Sequence, residues 1–570
     1  MMNNIRNPHA AVIVWNYDDR IGLDDKPQAI DRVESTIIST VSLISINTSK
    51  SKSQPNGTFQ MVLAPTKNWV SAITAGSWCV LLMSNEPITE KDIKKSADAK
   101  KVKMIGKIES VRADVSVGED GSKQTRYLVS GVDWGYVFNN IIYIDNRIQD
   151  SNEPQTQGQN VAIAIRNMLF GKDGVPERFD TPSNIRSIVN VFGQGLKGLT
   201  ETGKDINRLA NAVYDFIIPE EMSNYFNFIG PDGKKATARK INQIMTLIHG
   251  RLRDYDKYDG FVESEGYLDP FSFQGSHTFW QVLLDNSNPT LNEMYCDLRW
   301  ENNNSLRLAL YNRIKPFSLK GKAGDDTVNE LKSFFQNIRM TSIDTSHVMS
   351  INVGTNWRDK YNFVEIKPVF QEFAVFAGWY KQNAQQSDPI AFQREGFRPI
   401  IINTKQFPLR QNANAGLAAG EVDFNRLALW SKILKEWYFD THKMLNGTLT
   451  IIGQSEYIAV GDNIKFSADL VNPTPNLNLE TLNRKKNQSV LAQVESVSHS
   501  FGVRPDGART YTTTIQFVRG IVVEDSGKLV GDGMLDKLAS SVPSSKDRNT
   551  KEVFGTSDSQ DPDPSKTRGT

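Results

Sequence analysis

The sequence predicts an α+β chain of several domains, with two related antiparallel β-barrels, a mostly helical insert between them and a flexible C-terminal tail. Alternation of apolar and polar residues, typical of strands, runs through residues 33–132 and returns from residue 447. Apolar residues at helical spacing dominate residues 155–255. The chain has 570 residues. Because a single hydrophobic core stops growing at roughly 250–300 residues, several domains are expected.

The prediction divides the chain into five segments. They are, in order, a first β-barrel, a helical insert, a mixed α/β middle domain that contributes to the second barrel, the second barrel itself and the tail, over residues 1–150, 151–260, 261–440, 441–535 and 536–570. The last segment is rich in Ser, Asp, Pro, Lys and Thr. It holds too little apolar surface to offset the entropy of ordering, which is why we expect it to be flexible.

The strand pattern is clearest at two places. Phe59, Met61 and Leu63 alternate with less apolar neighbours, and a second alternating set begins the strand after the last Asp-Gly pair, comprising Tyr511, Thr513, Ile515 and Phe517. Segments 101–117 and 124–132 flank a loop centred on Asp-Gly and form a predicted hairpin. Residues 48–55, rich in Ser and Lys, are predicted to form an exposed polar loop.

Four short motifs recur in the same order in the two β regions. The first region carries Asn56-Gly57-Thr58, Ala75-Gly76-Ser77-Trp78, Ile108-Glu109-Ser110-Val111 and Asp120-Gly121. The second carries Asn446-Gly447-Thr448, Val460-Gly461-Asp462-Asn463, Val494-Glu495-Ser496-Val497 and Asp506-Gly507. The shared order favours a common ancestral barrel over a coincidence of ordinary hairpin chemistry. Three chains with two like barrels each would present six quasi-equivalent barrels around one axis.

Two further helices are predicted outside the insert. One covers residues 327–339. The other has aromatic and aliphatic residues on one face, namely Leu427, Trp430, Leu434, Trp437 and Tyr438. We interpret this second helix as packed on a β-barrel, in preference to a stripe for a membrane or a ligand.

Composition excludes several classes of function. Lys and Arg number 66 and Asp and Glu 65, so a formal charge of +1 provides no global basic field for sequence-independent DNA binding. The two cysteines, Cys79 and Cys296, lack a CxxC or histidine spacing and are predicted to be buried thiols, with no disulfide or zinc site. No signal peptide is expected, because polar residues interrupt any apolar run near the N-terminus, namely Asn16, Asp18, Asp19 and Arg20. No membrane span is expected either, since residues 69–83, the most apolar stretch, are too short and polar.

Two glycine motifs resemble nucleotide-binding loops, but each lacks a feature that such a loop requires. Gly193, Gly195 and Gly198 fit G-x-G-x-x-G, but no surrounding βαβ units are predicted, so a flexible linker is favoured over a dinucleotide site. Residues 198–204 fit a P-loop except that Asp205 stands where Ser or Thr would ligate Mg²⁺, and its carboxylate would repel phosphates.

No catalytic, cofactor-binding or metal-binding residue is predicted, and the chain is not expected to be an enzyme. The acidic cluster of Glu263, Glu265 and Asp269 beside Tyr267 is interpreted as a solvated loop. The six histidines show no metal or triad spacing and are scattered, at His9, His249, His277, His347, His442 and His499. His499 falls in a strand and is interpreted as a packing or surface residue.

Three stretches of the sequence resemble the baseplate hub proteins of contractile-tailed phages. The first comprises residues 57–65, Gly76-Ser77-Trp78 and Gly131-Val132-Asp133-Trp134-Gly135. The second comprises residues 279–283, 289–294 and 306–308 and Lys315-Pro316-Phe317. The third, which is the closest to the family, comprises Val460-Gly461-Asp462, residues 494–499 and residues 511–520. Together they span most of residues 33–524, whereas the insert at 155–255 is not matched to the family.

The resemblance implies a structural protein of the virion tail baseplate, assembled in the bacterial cytoplasm. Such hubs are homotrimers whose tail-tube-like barrels form a pseudo-six-fold ring between the hexameric tail tube and the trimeric central spike. They also meet other baseplate proteins and the tape measure, and DNA passes through the ring without specific binding. The implied mechanism is symmetry matching, with no bond making.

Two alternatives remain open at this stage. One is a tail component that binds glycans or degrades peptidoglycan, with a site near residues 261–300, where aromatic and acidic residues concentrate. The other is a tail tube or spike subunit. Tube subunits are usually shorter and have one barrel, and spikes usually show the short repeats of a β-helix, which this sequence lacks.

Overall fold

The computed structural model describes the β regions and part of the chain between them. The described residues are 7–17, 33–89, 92, 100–117, 121–140, 142–145, 340–368, 385–404, 424–439, 441–453, 458–471 and 488–524, together with short stretches between 228 and 314. These residues form mostly antiparallel β-sheet with few helices.

The first β region contributes seven strands and two short helices. The strands are β1 (His9–Tyr17), β2 (Val33–Ile38), β3 (Leu43–Ser51), β4 (Thr58–Leu63), β5 (Trp78–Ser84), β6 (Val102–Val117) and β7 (Lys123–Asp133). The helices are α1 (Trp69–Ala72) and α2 (Tyr136–Asn140). In β4 the predicted alternation is confirmed, because Phe59, Met61 and Leu63 are buried. Every residue of β5 is buried, so this strand is covered on both faces.

Short strand pairs follow between residues 142 and 314. Strand β8 (Ile142–Asp145) pairs with β11 (Gly275–Thr278), and β9 (Phe228–Ile229) pairs with β10 (Lys235–Ala236). A longer antiparallel pair consists of β12 (Asn292–Glu301) and β13 (Ser305–Ile314). Of these, β12 packs on the second β region through Tyr295, which belongs to its hydrophobic core.

The remaining strands complete the large sheet and a small one. They are β14 (Met340–Ser342), β15 (Val348–Gly354), β16 (Phe363–Pro368), β17 (Gln385–Ser387), β18 (Pro399–Thr404), β19 (Leu445–Ile452), β20 (Asn463–Ser467), β21 (Gln488–Val503) and β22 (Arg509–Glu524). Strands β17, β16 and β18 form a separate three-stranded sheet.

Two more helices lie beside the small sheet. Helix α3 (Pro389–Glu395) begins where the Asp388 side chain accepts the amide hydrogens of Ile390 and Ala391, and it ends at Gly396, whose φ is 74°. Helix α4 (Phe424–Phe439) contacts β16 and β17. Its predicted apolar face is buried at Trp430, Leu434 and Trp437.

One sheet of 13 strands joins the two β regions. Its main path runs β15-β19-β22-β21-β3-β4-β7-β6-β5-β1-β2, while β20 pairs with β21 and with β14. Two separate hydrophobic cores form along it, one centred on β1–β7 and the other on β19–β22. Phe501 and Tyr511 lie near the turn of the β21–β22 hairpin and belong to the first core. The hairpin therefore extends from its own core across to the other.

The structure corrects or limits several sequence expectations. No strand path closes on itself among the described residues, so the prediction of two closed barrels is not confirmed. Residues 48–55 are only partly the exposed loop that was predicted. Residues 48–51 belong to β3, and Thr48, Lys50 and Lys52 are buried, whereas Ser53 and Gln54 are exposed in the turn that follows. Apart from β9 and β10, the helical insert at 151–260 lies outside the described residues, as do the helix at 327–339 and the tail at 536–570.

Candidate functional site

The two β regions repeat the same strand arrangement. In the first, neighbouring strands follow the order β3-β4-β7-β6-β5; in the second, the order is β15-β19-β22-β21-β20. Every pair in both series is antiparallel. A short 3-10 turn precedes both β3 and β15. The correspondence inferred from sequence motifs is therefore present in the pairing of the strands.

The glycine turns before β5 and β20 have the same hydrogen bonds. The Gly76 amide donates to the Ile108 carbonyl at 2.7 Å, and the Gly461 amide donates to the Val494 carbonyl at 2.8 Å. The return bonds also match, from the Ile108 amide to the Ser77 carbonyl at 2.9 Å and from the Val494 amide to the Asp462 carbonyl at 2.8 Å. Both glycines have positive φ, 90° at Gly76 and 75° at Gly461, a conformation that other residues adopt only with strain.

The long hairpins match as well. The register of β6 with β7 shifts between Ile108 and Ser110, and the register of β21 with β22 shifts between Val494 and Ser496. The shared Glu-Ser-Val motif thus places a glutamate at the same irregularity in both hairpins. Gly121 and Gly507, in the turns that follow, both have positive φ.

The two halves meet where β21 lies antiparallel to β3, in a register that runs from Ser496 opposite Ser51 to Gly502 opposite Ser45. One face of this junction is buried and brings Phe501 opposite Ile46, each with no exposed surface. The other face is polar. There the Ser498 hydroxyl donates to Ser49 Oγ at 3.2 Å, and the Ser500 hydroxyl donates to Asn47 Oδ1 at 2.7 Å.

Beneath the junction lies a buried ion pair. Lys50 Nζ donates to Asp133 Oδ2 at 2.7 Å and to the Pro55 carbonyl at 2.5 Å, and the Gly135 amide donates to Asp133 Oδ1 at 2.9 Å. Burial disfavours the charge on both groups and raises the pKa of Asp133. Burial is the largest single influence on Lys50 and lowers its pKa, but the combined effect of Asp133, Cys296 and Asp297 outweighs burial and holds the pKa of Lys50 above its ordinary value.

A second buried lysine links three segments. Lys52 Nζ lies 2.5 Å from Glu293 Oε1 of β12 and 2.7 Å from Glu495 Oε2 of β21. The Lys52 amide also donates to the Glu495 carbonyl at 2.9 Å. Since Glu495 is the glutamate of the repeated motif, the equivalent position, Glu109, is informative. Glu109 is exposed, whereas Glu495 is half-buried and paired with Lys52 at the junction.

Strand β12 is tied to both halves at Cys296 and Asp297. The Cys296 thiol donates to the Pro55 carbonyl at 3.0 Å, and the Val460 amide donates to Asp297 Oδ2 at 2.8 Å. Burial raises the pKa of the Cys296 thiol to about 12, and it raises that of Cys79 as well. Both cysteines are free and buried, so the prediction of buried thiols is confirmed.

His499 is a packing residue at the edge of a small cavity at the junction, which Lys103 and Asp133 also line. Its Nδ1 lies 2.9 Å from Thr513 Oγ1 and 3.4 Å from the Tyr511 hydroxyl. Burial, together with the positive charge of Lys103, lowers the pKa of His499 well below its ordinary value. The neutral ring therefore lies with Lys50 and Asp133 among the buried polar groups beneath β21 and β3.

Arg519 joins helix α4 to β22. Its guanidinium carbon lies 3.3 Å from the centre of a Trp437 ring, and Nη1 donates to the Trp437 carbonyl at 3.2 Å. Burial lowers the pKa of Arg519 to about 10, although Glu293 and Glu495 oppose this. Helix α4 was predicted to pack on a β-barrel. In the structure it contacts the small sheet and, through Trp437 and Arg519, strand β22.

Most residues weighed as enzymatic candidates lie outside the described residues. These include the glycine motifs at 193–205 and the acidic cluster at Glu263, Glu265 and Asp269. Trp280, from the candidate glycan region, is buried and lies 6.0 Å from the Phe138 ring. Within the described ranges, no three His, Cys, Asp or Glu side chains group as a metal site. No described helix is long and apolar enough to cross a membrane.

The sequence matches no family model and no curated protein. Among solved structures, a tail protein from Neisseria meningitidis is 9% identical, with a TM-score of 0.38 over 90% of this chain and 96% of that one. A 43 kDa tail protein of prophage MuSo2 from Shewanella oneidensis is 12% identical, with a TM-score of 0.35 over 91% and 100% of the two chains. A half-lidded Francisella PdpA–VgrG complex is 7% identical, with a TM-score of 0.35 over 93% and 60%. TM-scores below 0.5 are too low to define the fold or function of this chain.

Proposed function

We propose that the chain is the central baseplate hub of a contractile phage tail. In this role it is a homotrimer that joins the hexameric tail tube to the trimeric central spike and leaves a channel for DNA. The observation that carries the proposal is the structural repeat, in which two sets of strands share strand order, turn hydrogen bonds and a register shift. One set is β3–β7, and the other is β15 with β19–β22.

The repeat matters because it doubles the apparent symmetry of an oligomer. A trimer of a chain with one such unit offers three equivalent surfaces, whereas a trimer of this chain offers six. Six quasi-equivalent units can dock on a six-fold ring, while the parts of the chain outside the repeat keep three-fold symmetry for the spike. The salt bridge from Lys52 to Glu495 of β21 joins the two units directly, and Glu293 of β12 is a second partner of Lys52.

The proposal includes the domain plan given by the sequence. In this plan residues 1–150 and 441–535 each form one tube-like barrel, and the segment at 261–440 contributes to the second. The two hydrophobic cores and the pairing of β14 and β15 with strands of the second region support it. Other proposed partners are further baseplate proteins and the tape measure, in the virion. A formal charge of +1 suits a channel through which DNA passes without being held.

The proposed role requires no catalysis. At the junction, buried Lys50 is paired with Asp133 and buried Lys52 is paired with half-buried Glu495, so these charged groups have a structural role. The alternative of a glycan-directed component near residues 261–300 receives no support from the described residues of that range, where Trp280 packs inside the fold.

Native mass measurement and particle images test the proposal together. The purified chain is expected to have three times its monomer mass of 64.0 kDa. Images down the symmetry axis are expected to show a ring with six similar lobes around an open centre. A monomer at micromolar concentration, or a trimer whose axial view shows three unlike pairs of lobes, would overturn it.

A further inference from the structure

Strand β6 has a free edge in the part that corresponds to the junction. Strand β5 pairs with β6 only as far as Trp78 opposite Lys107. Beyond this point residues 110–117 pair with β7 on one side, and no described strand lies on the other. In the repeat, the same side of β21 is taken by β20 as far as Gln493 and then by β3 from Ser496 onward.

Strand β15 has the complementary free edge. It pairs with β19 on one side, and no strand in the described part of the chain covers the other. Its counterpart β3 pairs with β4 on one side and with β21 on the other. One copy of the chain therefore carries both halves of a second junction, at distant positions along the same sheet.

At the β6 edge, an apolar residue is exposed where the existing junction is buried. Val115 is 52% exposed, although its counterpart Phe501 has no exposed surface. Met349, beside the register shift of β15, is 59% exposed. Long, unpaired apolar edges invite pairing with another chain, and soluble proteins usually protect them.

The existing junction also supplies a register for the missing one. Ser496 and Ser110 occupy the same place in the Glu-Ser-Val motif. Ser49 of β3 pairs with Thr58, and Asn352 of β15 pairs with Thr448. Both threonines end the repeated Asn-Gly-Thr motif, so Asn352 is the equivalent of Ser49. In the missing junction, the equivalent of the pair Ser498–Ser49 is therefore Arg112 opposite Asn352.

We propose that residues 110–115 of one protomer pair antiparallel with β15 of the next protomer in this register. The inference rests on the proposed trimer and deepens it, by naming the strands that join its subunits. Arg112 then faces Asn352 and Asp114 faces Ser350 on the polar side. On the other side Val111 faces Val353 and Ala113 faces Ile351. Val115 faces Val348, because Met349 is the extra residue at the register shift of β15, and this gives three apolar pairs.

A second copy of this chain is the occupant that the structure favours. Polar and apolar positions alternate in phase on both edges, and a one-residue slip would place Arg112 and Asp114 among the apolar side chains. The two edges differ, so the contact runs head to tail, and such contacts generate closed rings when the rotation between subunits closes. Alternating β21–β3 contacts within chains and β6–β15 contacts between chains then complete the ring.

Cysteine cross-linking tests the register. The chain with Arg112→Cys and Asn352→Cys is expected to form covalent dimers and trimers under mild oxidation, because the two positions face each other across protomers. The matched control carries Arg112→Cys and Ser346→Cys, where Ser346 is exposed but lies before β15, and it is expected to remain monomeric on a non-reducing gel. The native Cys79 and Cys296 are buried in both variants. Mixing chains that each carry one of the two substitutions is expected to give dimers only.

A dissociation measurement provides a second arm. Val115→Lys places a charge on the apolar side of the proposed contact and is expected to raise the trimer dissociation constant more than tenfold. Val117→Lys, at a 72% exposed position beyond the last proposed pair, is expected to change it less than twofold.

The outcomes separate this inference from the proposed function. A trimer by mass that yields no cross-link at Arg112→Cys and Asn352→Cys, and that tolerates Val115→Lys, would overturn the β6–β15 contact and leave the hub proposal standing. A monomeric chain would overturn both.

Discussion

Val115 and Phe501 occupy the same position in equivalent strands, but Val115 is 52% exposed and Phe501 is fully buried. The difference comes from the neighbouring strand. Phe501 has Ile46 of β3 opposite it, whereas no described strand lies beside Val115 on that edge. The same motif therefore has two environments, and the contrast identifies which surface of the chain lacks its partner.

The buried ion pair is expected to be important for stability. Asp133→Asn leaves the Lys50 ammonium buried without a counter-charge, and removing one partner of a buried pair typically costs about 3–5 kcal/mol. Chemical unfolding followed by tryptophan fluorescence measures this. The control is Arg126→Gln in the exposed Arg126–Asp114 pair, where a change of less than about 1 kcal/mol is expected, since Arg126 lies on β7 outside the proposed contact between protomers. Equal effects of the two substitutions would contradict this explanation of the junction.

The two equivalent glycine turns are expected to differ in tolerance. An added Cβ at Gly76 has Lys107 Cε as its nearest atom at 3.9 Å, so Gly76→Ala meets only the strain of positive φ, about 1–2 kcal/mol. At Gly461 the Cβ would lie 2.5 Å from the Tyr295 hydroxyl oxygen, and the ring is buried. Gly461→Ala should therefore lower the thermal midpoint clearly more than Gly76→Ala. Similar midpoints would show that the packing of β12 on this turn is wrong.

His499 is expected to make the fold sensitive to acid. Because burial lowers the pKa of His499 in the folded state, the unfolded chain takes up a proton at this residue below about pH 6.5 while the folded chain does not. Stability should fall as the pH drops from 6.5, by up to about 1.4 kcal/mol per pH unit from this residue.

Unfolding curves between pH 7.5 and 5 measure this contribution. His499→Gln is expected to flatten the pH dependence, since the amide does not titrate, while His347→Gln, at an exposed position, should leave the slope unchanged. An unchanged slope in His499→Gln would show that the histidine is solvated in the folded protein.

The non-enzymatic role predicts no release of peptidoglycan fragments. Wild-type protein, Glu263→Gln and Glu265→Gln are all expected to leave purified cell walls intact, while a lysozyme control solubilises them. Release by the wild type that disappears in either variant would establish the glycan-directed alternative near residues 261–300.

Local physical chemistry made much of the sheet predictable. Alternating side chains in β4 and β22 predicted which residues are buried, because successive residues of a strand point to opposite faces. Asp-Gly and the repeated glycines predicted turns for a similarly local reason, since only glycine adopts positive φ without strain. The order of the repeated motifs predicted the common strand arrangement of the two regions.

The sequence by itself thus determined the strands, their turns and the repeat, but only the tertiary structure decided how the two regions join. The sequence predicts an exposed loop at Lys50 and Lys52, because their partners are far away in the sequence. These partners are Asp133, Glu293 and Glu495. Pairing of β21 with β3 is equally non-local, and no periodicity encodes it. The burial of a charge depends on which distant groups surround it. For this reason the junction of β21 with β3 and the unpaired edges of β6 and β15 can be recognised only in the folded structure.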